Sequence, residues 1–250
     1  YSEVGRRVDA VAPAEEASGL YRALAQDNPA FVPDLAMALN NLGVRYSEVG
    51  RRVDAVAPTE EAVRLRRALA QDNPAFVPDL AMALNNLGVR YSEVGRRVDA
   101  VAPAEEASGL YRALAQDNPA FVPDLAMALN NLGNRYSEVG RRVDAVASAE
   151  EASGLYRALA QDNPAFVPDL AMALNNLGAS YSEVGRRVDA VAPAEEASGL
   201  YRALAQDNPA FVPDLAMALN NLGVRYSEVG RRVDAVAPTE EAVRLRRALA

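Results

Sequence analysis

The chain contains no Cys, His, Lys, Trp or Ile. Without Cys there are no disulfides and no thiol chemistry. Without His the commonest metal ligand and general base are missing. Without Lys, Schiff-base chemistry and P-loop phosphate binding are excluded. All 26 basic residues are Arg, and the joint loss of Lys and Ile points to GC-rich, bacterial coding. No apolar run approaches a membrane span and no basic-then-apolar signal segment opens the chain, so a cytoplasmic chain without a membrane partner is expected. The net charge of −8 argues against nucleic acid and anionic membrane surfaces. No cofactor or metal site is expected.

What is present is repetition. Tyr-Ser-Glu-Val-Gly-Arg-Arg-Val-Asp-Ala begins at Tyr1, Tyr46, Tyr91, Tyr136, Tyr181 and Tyr226, a period of 45 residues. The units are 1–45, 46–90, 91–135, 136–180 and 181–225, with a partial unit at 226–250. Residues 1–70 recur letter for letter as 181–250. Repeats of this length, half hydrophobic, predict one helical array over 1–250.

Each unit reads as two helices. Phe76, Leu80, Leu84, Leu87, Tyr91 and Val94 are spaced by 4, 4, 3, 4 and 3, the apolar stripe of a helix over about 75–94. This is helix A. Asn73-Pro74 caps it, Pro78 offers a second start one turn later, and Gly95 ends it. Helix B runs from near Arg51 to Asp72 with Ala55, Thr59, Ala62, Arg66 and Leu69 inward. Pro58 lies inside it, which predicts a continuous but bent helix, less bent where Ser148 replaces the proline. Ser18 and Tyr21 share a face in four units. Val63 and Arg66 replace them in two, which reads as compensated packing with the Arg charge swung outward.

The spacing Leu39-x2-Leu42-Gly43-x2-Tyr46, followed by Ala55-x3-Thr59, Ala62 and Pro74, resembles the tetratricopeptide repeat, in the long-unit form of kinesin light chain. Leu stands for the family's Trp, Thr or Ala for its helix B aromatic, and the closing Pro comes late. The resemblance implies an all-α fold, a right-handed α-solenoid of tandem helical hairpins with helix A lining the inner groove. It also implies a protein- or peptide-binding scaffold and no catalysis. The family's Lys-based clamp for peptide carboxylates cannot operate here.

The Asn pairs on helix A are the candidate groove residues. They are Asn40/Asn41, Asn85/Asn86, Asn130/Asn131, Asn175/Asn176 and Asn220/Asn221, joined four residues after each first Asn by Val44, Val89, Asn134, Ala179 and Val224. Asn is a poor helix-interior residue, so five pairs need a reason. Its side chain carries a donor and an acceptor. One member of each pair could bond to the next unit and fix the stacking, while the other meets an extended peptide. The variable positions would give units three and four selectivity.

The remaining charged clusters read as structural. Glu60 and Glu61 point about 100° apart on a helix and recur in every unit, so they are surface residues, not a catalytic dyad. Arg51-Arg52 suits a helix C-terminus. Arg64, Arg66 and Arg67 read as a solvated face. Two other functions compete with peptide binding: a structural spacer or self-assembling filament, and, ranked last, single-stranded RNA binding. Uncapped apolar ends predict head-to-tail self-association.

Overall fold

The computed structural model describes residues 8–249 and divides into two compact bodies, up to Val122 and from Pro123 onward. No strand occurs among the described residues. The first body holds α1 (Val11–Asp27), α2 (Val32–Glu48), α3 (Arg52–Asp72), α4 (Val77–Glu93) and α5 (Arg97–Asp117). The second holds α6 (Val122–Glu138, which starts at the boundary), α7 (Arg142–Asp162), α8 (Val167–Glu183), α9 (Val191–Asp207), α10 (Val212–Glu228) and α11 (Arg232–Leu249). Even-numbered helices are of type A and odd-numbered ones of type B. The helix A tail expected at Tyr1–Gly5, and Ala250, lie outside the described residues.

Both candidate starts of helix A are used. Asn73 Oδ1 accepts from the Ala75 N–H at 2.9 Å and opens a short 3-10 turn over Pro74–Phe76. The α-helix then begins at Val77 with Pro78 in its first turn, where the missing N–H costs nothing. At the far end Gly95 takes φ +81°, which a side chain would strain. That turn lets Arg96 N–H reach back to the Tyr91 carbonyl at 2.8 Å and leaves three residues, 94–96, between helix A and helix B.

Helices A and B pack through the predicted stripe. Leu39, Leu84, Leu129, Leu174 and Leu219, which fill the place of the motif's Trp, are almost free of solvent. Each stabilises its body by about 1.5–3 kcal/mol. In the first body Leu84 and Leu87 pack with Val63, Leu80, Ala83 and Ala107. In the second, Leu174 sits among Ala126, Tyr156, Leu170, Ala173 and Ala197. Gly88 allows the close crossing, because a Cβ there would lie 3.1 Å from the Ala100 carbonyl oxygen.

The prolines leave most B helices unbroken: α3, α5 and α11 run through Pro58, Pro103 and Pro238. Helix α7, with Ser148, has the full span as well. Helix α9 departs from the expected span. Residues 187–190 form turns and the helix starts at Val191, two residues before Pro193.

Arg66 corrects the solvated-face reading. It fills the position that Tyr111, Tyr156 and Tyr201 occupy in other units, and its side chain is only 4% exposed. Its charge does not swing out to solvent. It meets Asp79 of α4 at 2.6 Å. The flanking residues do behave as surface groups: Arg67 pairs with Glu106 at 2.7 Å and exposed Arg64 lies 3.5 Å from Glu61.

Candidate functional site: the helix A face

The structure separates the two members of each Asn pair. Asn40, Asn85, Asn130 and Asn175 are buried at 4–6% exposure, and Asn220 is half-buried. Adjacent helix positions are about 100° apart, so the second Asn turns toward solvent. Asn41 is exposed, while Asn86, Asn131, Asn176 and Asn221 are half-buried. Within each body the pairs interlock. Asn86 Nδ2 donates to Asn40 Oδ1 at 3.0 Å, and Asn176 Nδ2 donates to Asn130 Oδ1 at 2.9 Å. The second Asn of one hairpin thus bonds to the first Asn of the hairpin before it and keeps its surface position. Asn175 differs: neither its Oδ1 nor its Nδ2 has a partner.

Sequence reasoning missed the methionines. Met37, Met172 and Met217 are exposed, and Met82 and Met127 half-buried. Each stands four residues before the second Asn and so shares its face. Met37, Asn41, Val44 and Glu48 form one solvent-facing stripe along α2, with Val44 half-buried. The other A helices carry the same stripe, with Val89, Asn134, Ala179 and Val224 at the third place. A Met every 45 residues, one turn before an Asn, was the available signal. Flexible, polarizable Met suits surfaces that adapt to a bound chain.

At its C-terminal end the stripe has a second ladder. Ser47 Oγ donates to Glu93 at 2.8 Å, Ser137 to Glu183 at 2.6 Å and Ser182 to Glu228 at 2.6 Å, each to the next helix A. The same Glu pairs within its own helix where an Arg precedes it by three residues. Examples are Arg90–Glu93 at 2.7 Å and Arg225–Glu228 at 2.7 Å. Burial alone would raise the Glu228 carboxyl, but bonds from Ser182 and Arg225 outweigh it and leave it below the usual range.

The helix B side carries clefts but little unpaired charge. Equivalent clefts of about 450, 430 and 440 Å³ lie beside Tyr46, Tyr181 and Tyr226. In the first, Arg22 makes a two-pronged pair with Glu61 at 2.7 and 2.6 Å. Arg51 bonds Asp54 at 2.7 Å, and its guanidinium stacks 4.2 Å above the Tyr46 ring. The Tyr46 hydroxyl donates to Glu15 at 2.7 Å. Burial and the Glu15 bond raise that hydroxyl above its ordinary value.

The Glu60-Glu61 pair is a two-way staple. Glu60 accepts from Tyr91 of the next hairpin at 2.8 Å, and Glu61 accepts from Arg22 of the preceding one. The Arg22 bond outweighs burial and lowers the Glu61 carboxyl. These groups join hairpins. Among the described residues no cluster of three or more His, Cys, Asp or Glu could hold a metal ion. No helix described is long and apolar enough to cross a membrane.

A tetratricopeptide repeat family profile matches residues 35–75, 80–120, 125–165, 170–210 and 215–250. No curated protein matches. Among solved structures, BtubC (BKLC) from P. vanneervenii is similar at 23% identity and a TM-score of 0.75, covering 100% of this chain and 93% of that one. A Podosopora anserina putative kinesin light chain with nearly identical repeats is similar at 19% identity and a TM-score of 0.64, covering 86% of this chain and 96% of that one. At these identities the likeness shows the fold alone.

Proposed function

The chain belongs to the tetratricopeptide repeat family, and from that premise we propose that it is a non-enzymatic scaffold that holds an extended protein segment along the helix A face. The observation that carries this reading is the stripe of Met37, Asn41, Val44 and Glu48, exposed except at half-buried Val44, and its counterparts, which are half-buried throughout α4 and α6. It combines adaptable apolar groups with amides that can pair with any peptide backbone. The helix B clefts are the weaker choice, because Arg22, Arg51, Asp54 and Glu61 are already paired there. The test is to pan a random peptide library on the chain, then repeat the binding with Asn41, Asn86, Asn131, Asn176 and Asn221 all changed to Ala. Peptides that lose at least about tenfold in affinity, with helicity unchanged, support the reading. Peptides that bind the variant equally well refute it.

A further inference from the structure

Hairpin four breaks the sequence pattern of the helix A face at two positions on α8. Ala179 stands where other A helices have Val or Asn, and Ser180 stands where they have Arg. Elsewhere that Arg neutralises the Glu three residues on, as in Arg45–Glu48, Arg90–Glu93, Arg135–Glu138 and Arg225–Glu228. Glu183 has only the Ser137 hydroxyl at 2.6 Å, and it is exposed where Glu93, Glu138 and Glu228 are half-buried. One helical turn before Ala179 lies Asn175, 94% buried by its 6% exposure, with both amide atoms unpartnered. Unlike Asn40 and Asn130, it gives up no hydrogen bond by turning toward a bound segment.

Asn175, Ala179 and Glu183 succeed one another at four-residue steps and so share a face of α8. They span about 12 Å along the axis. An extended Arg covers about 7 Å of this from Cα to guanidinium, and a hydrogen bond of about 3 Å at each end covers the rest. The neighbouring Arg135 and Arg225 are already committed to Glu138 and Glu228. The counter-charge that an intramolecular Arg uses elsewhere is therefore available at Glu183.

We infer that α8 is the selective position of the helix A face and takes an Arg side chain from the bound segment. The partner's peptide group bonds the Asn175 amide, its aliphatic stem crosses Ala179, and its guanidinium pairs with Glu183. This rests on the helix A face being the binding surface and names the chemistry it selects, a basic extended peptide. The chain's net charge of −8 favours the same class.

The test uses two labelled Ala/Ser peptides, one with a single central Arg and a twin with Gln, titrated by fluorescence anisotropy. The proteins are the full chain, Glu183→Gln and Ser180→Arg. The second variant recreates the Arg–Glu pair of the other hairpins and is expected to fold, with a helicity melt as the control. The Arg peptide should bind the full chain about fivefold more tightly than its twin, the scale of an exposed ion pair. That preference should vanish in both variants while affinity for the Gln peptide stays the same. Equal binding of both peptides to the full chain overturns the inference and leaves the helix A reading standing. A preference that survives in both variants places the guanidinium elsewhere and also overturns it. If neither peptide binds, both readings fall.

Discussion

Replacing Val63 and Arg66 together should cost far less than the two single changes imply. Val63→Ser removes apolar volume from the cluster with Leu84, Leu87 and Ala107. At about 0.8 kcal/mol per buried carbon, the loss is about 1.5 kcal/mol before any cavity term. Arg66→Tyr alone removes the bond to Asp79 and sets a ring beside the larger Val, an overpacking of about 1–3 kcal/mol. The double variant recreates Ser108 and Tyr111 of α5, where the Ser hydroxyl is satisfied by the Glu105 carbonyl at 2.9 Å. It should lie near the parent, giving a coupling of about 2–3 kcal/mol. Asp79→Asn should separately cost about 2 kcal/mol. That is below the 3–5 kcal/mol of a fully buried broken pair, because Asp79 is half-exposed. Urea unfolding followed by helical circular dichroism, fitted with a nearest-neighbour repeat scheme, measures all four variants. Additivity of the two single changes within about 0.5 kcal/mol would refute the compensated-packing argument.

Three further outcomes are expected. Gly88→Ala should destabilise by about 1–2 kcal/mol in the same assay, because the crowding at the Ala100 carbonyl exceeds the helix propensity gained; stabilisation would mean the helices move apart freely. Glu61→Gln should matter more at neutral than at acid pH. Its carboxyl is lowered mainly by Arg22, so the stability it supplies is present above the ordinary Glu value and is lost as pH falls, and melting curves at several pH values should converge in acid. Pro193→Ser should leave the α9 start at Val191 and hydrogen exchange at residues 187–190 unchanged, because α5 has the same residues with Pro103 and still starts at Arg97; slower exchange there would show that the proline does set the helix start.

Much of the local structure was legible because the repeat repeats its punctuation. Asn73-Pro74, Pro78 and Gly95 bracketed helix A to within two residues at each end: 75–94 was expected and Val77–Glu93 is observed. The apolar stripe named the buried leucines because its period is a property of one helix. Features that depend on two helices were not legible in this way. Arg66 stands in the inward stripe yet reads as surface by its charge, and the placement of Asp79 on α4 explains how the charge is buried. The opposite duties of Glu60 and Glu61 arise from 100° of helix rotation, with Tyr91 and Arg22 coming from different hairpins. The same rotation sorts each Asn pair into a packed and a surface-facing member. The sequence displays the pair but not the side from which the neighbour approaches.

The chain provides its own reporters for the central claim. It has five Met in all, one on each helix A, so methyl labelling of Met gives one nuclear magnetic resonance signal per hairpin. Titration with a peptide recovered by panning should shift Met37 and Met82 together in the first body, or Met127, Met172 and Met217 together in the second, with little change at the Tyr rings beside the helix B clefts. Saturable binding that leaves all five methyl signals in place and moves the Tyr46, Tyr181 or Tyr226 rings would contradict the assignment of the helix A face as the binding surface.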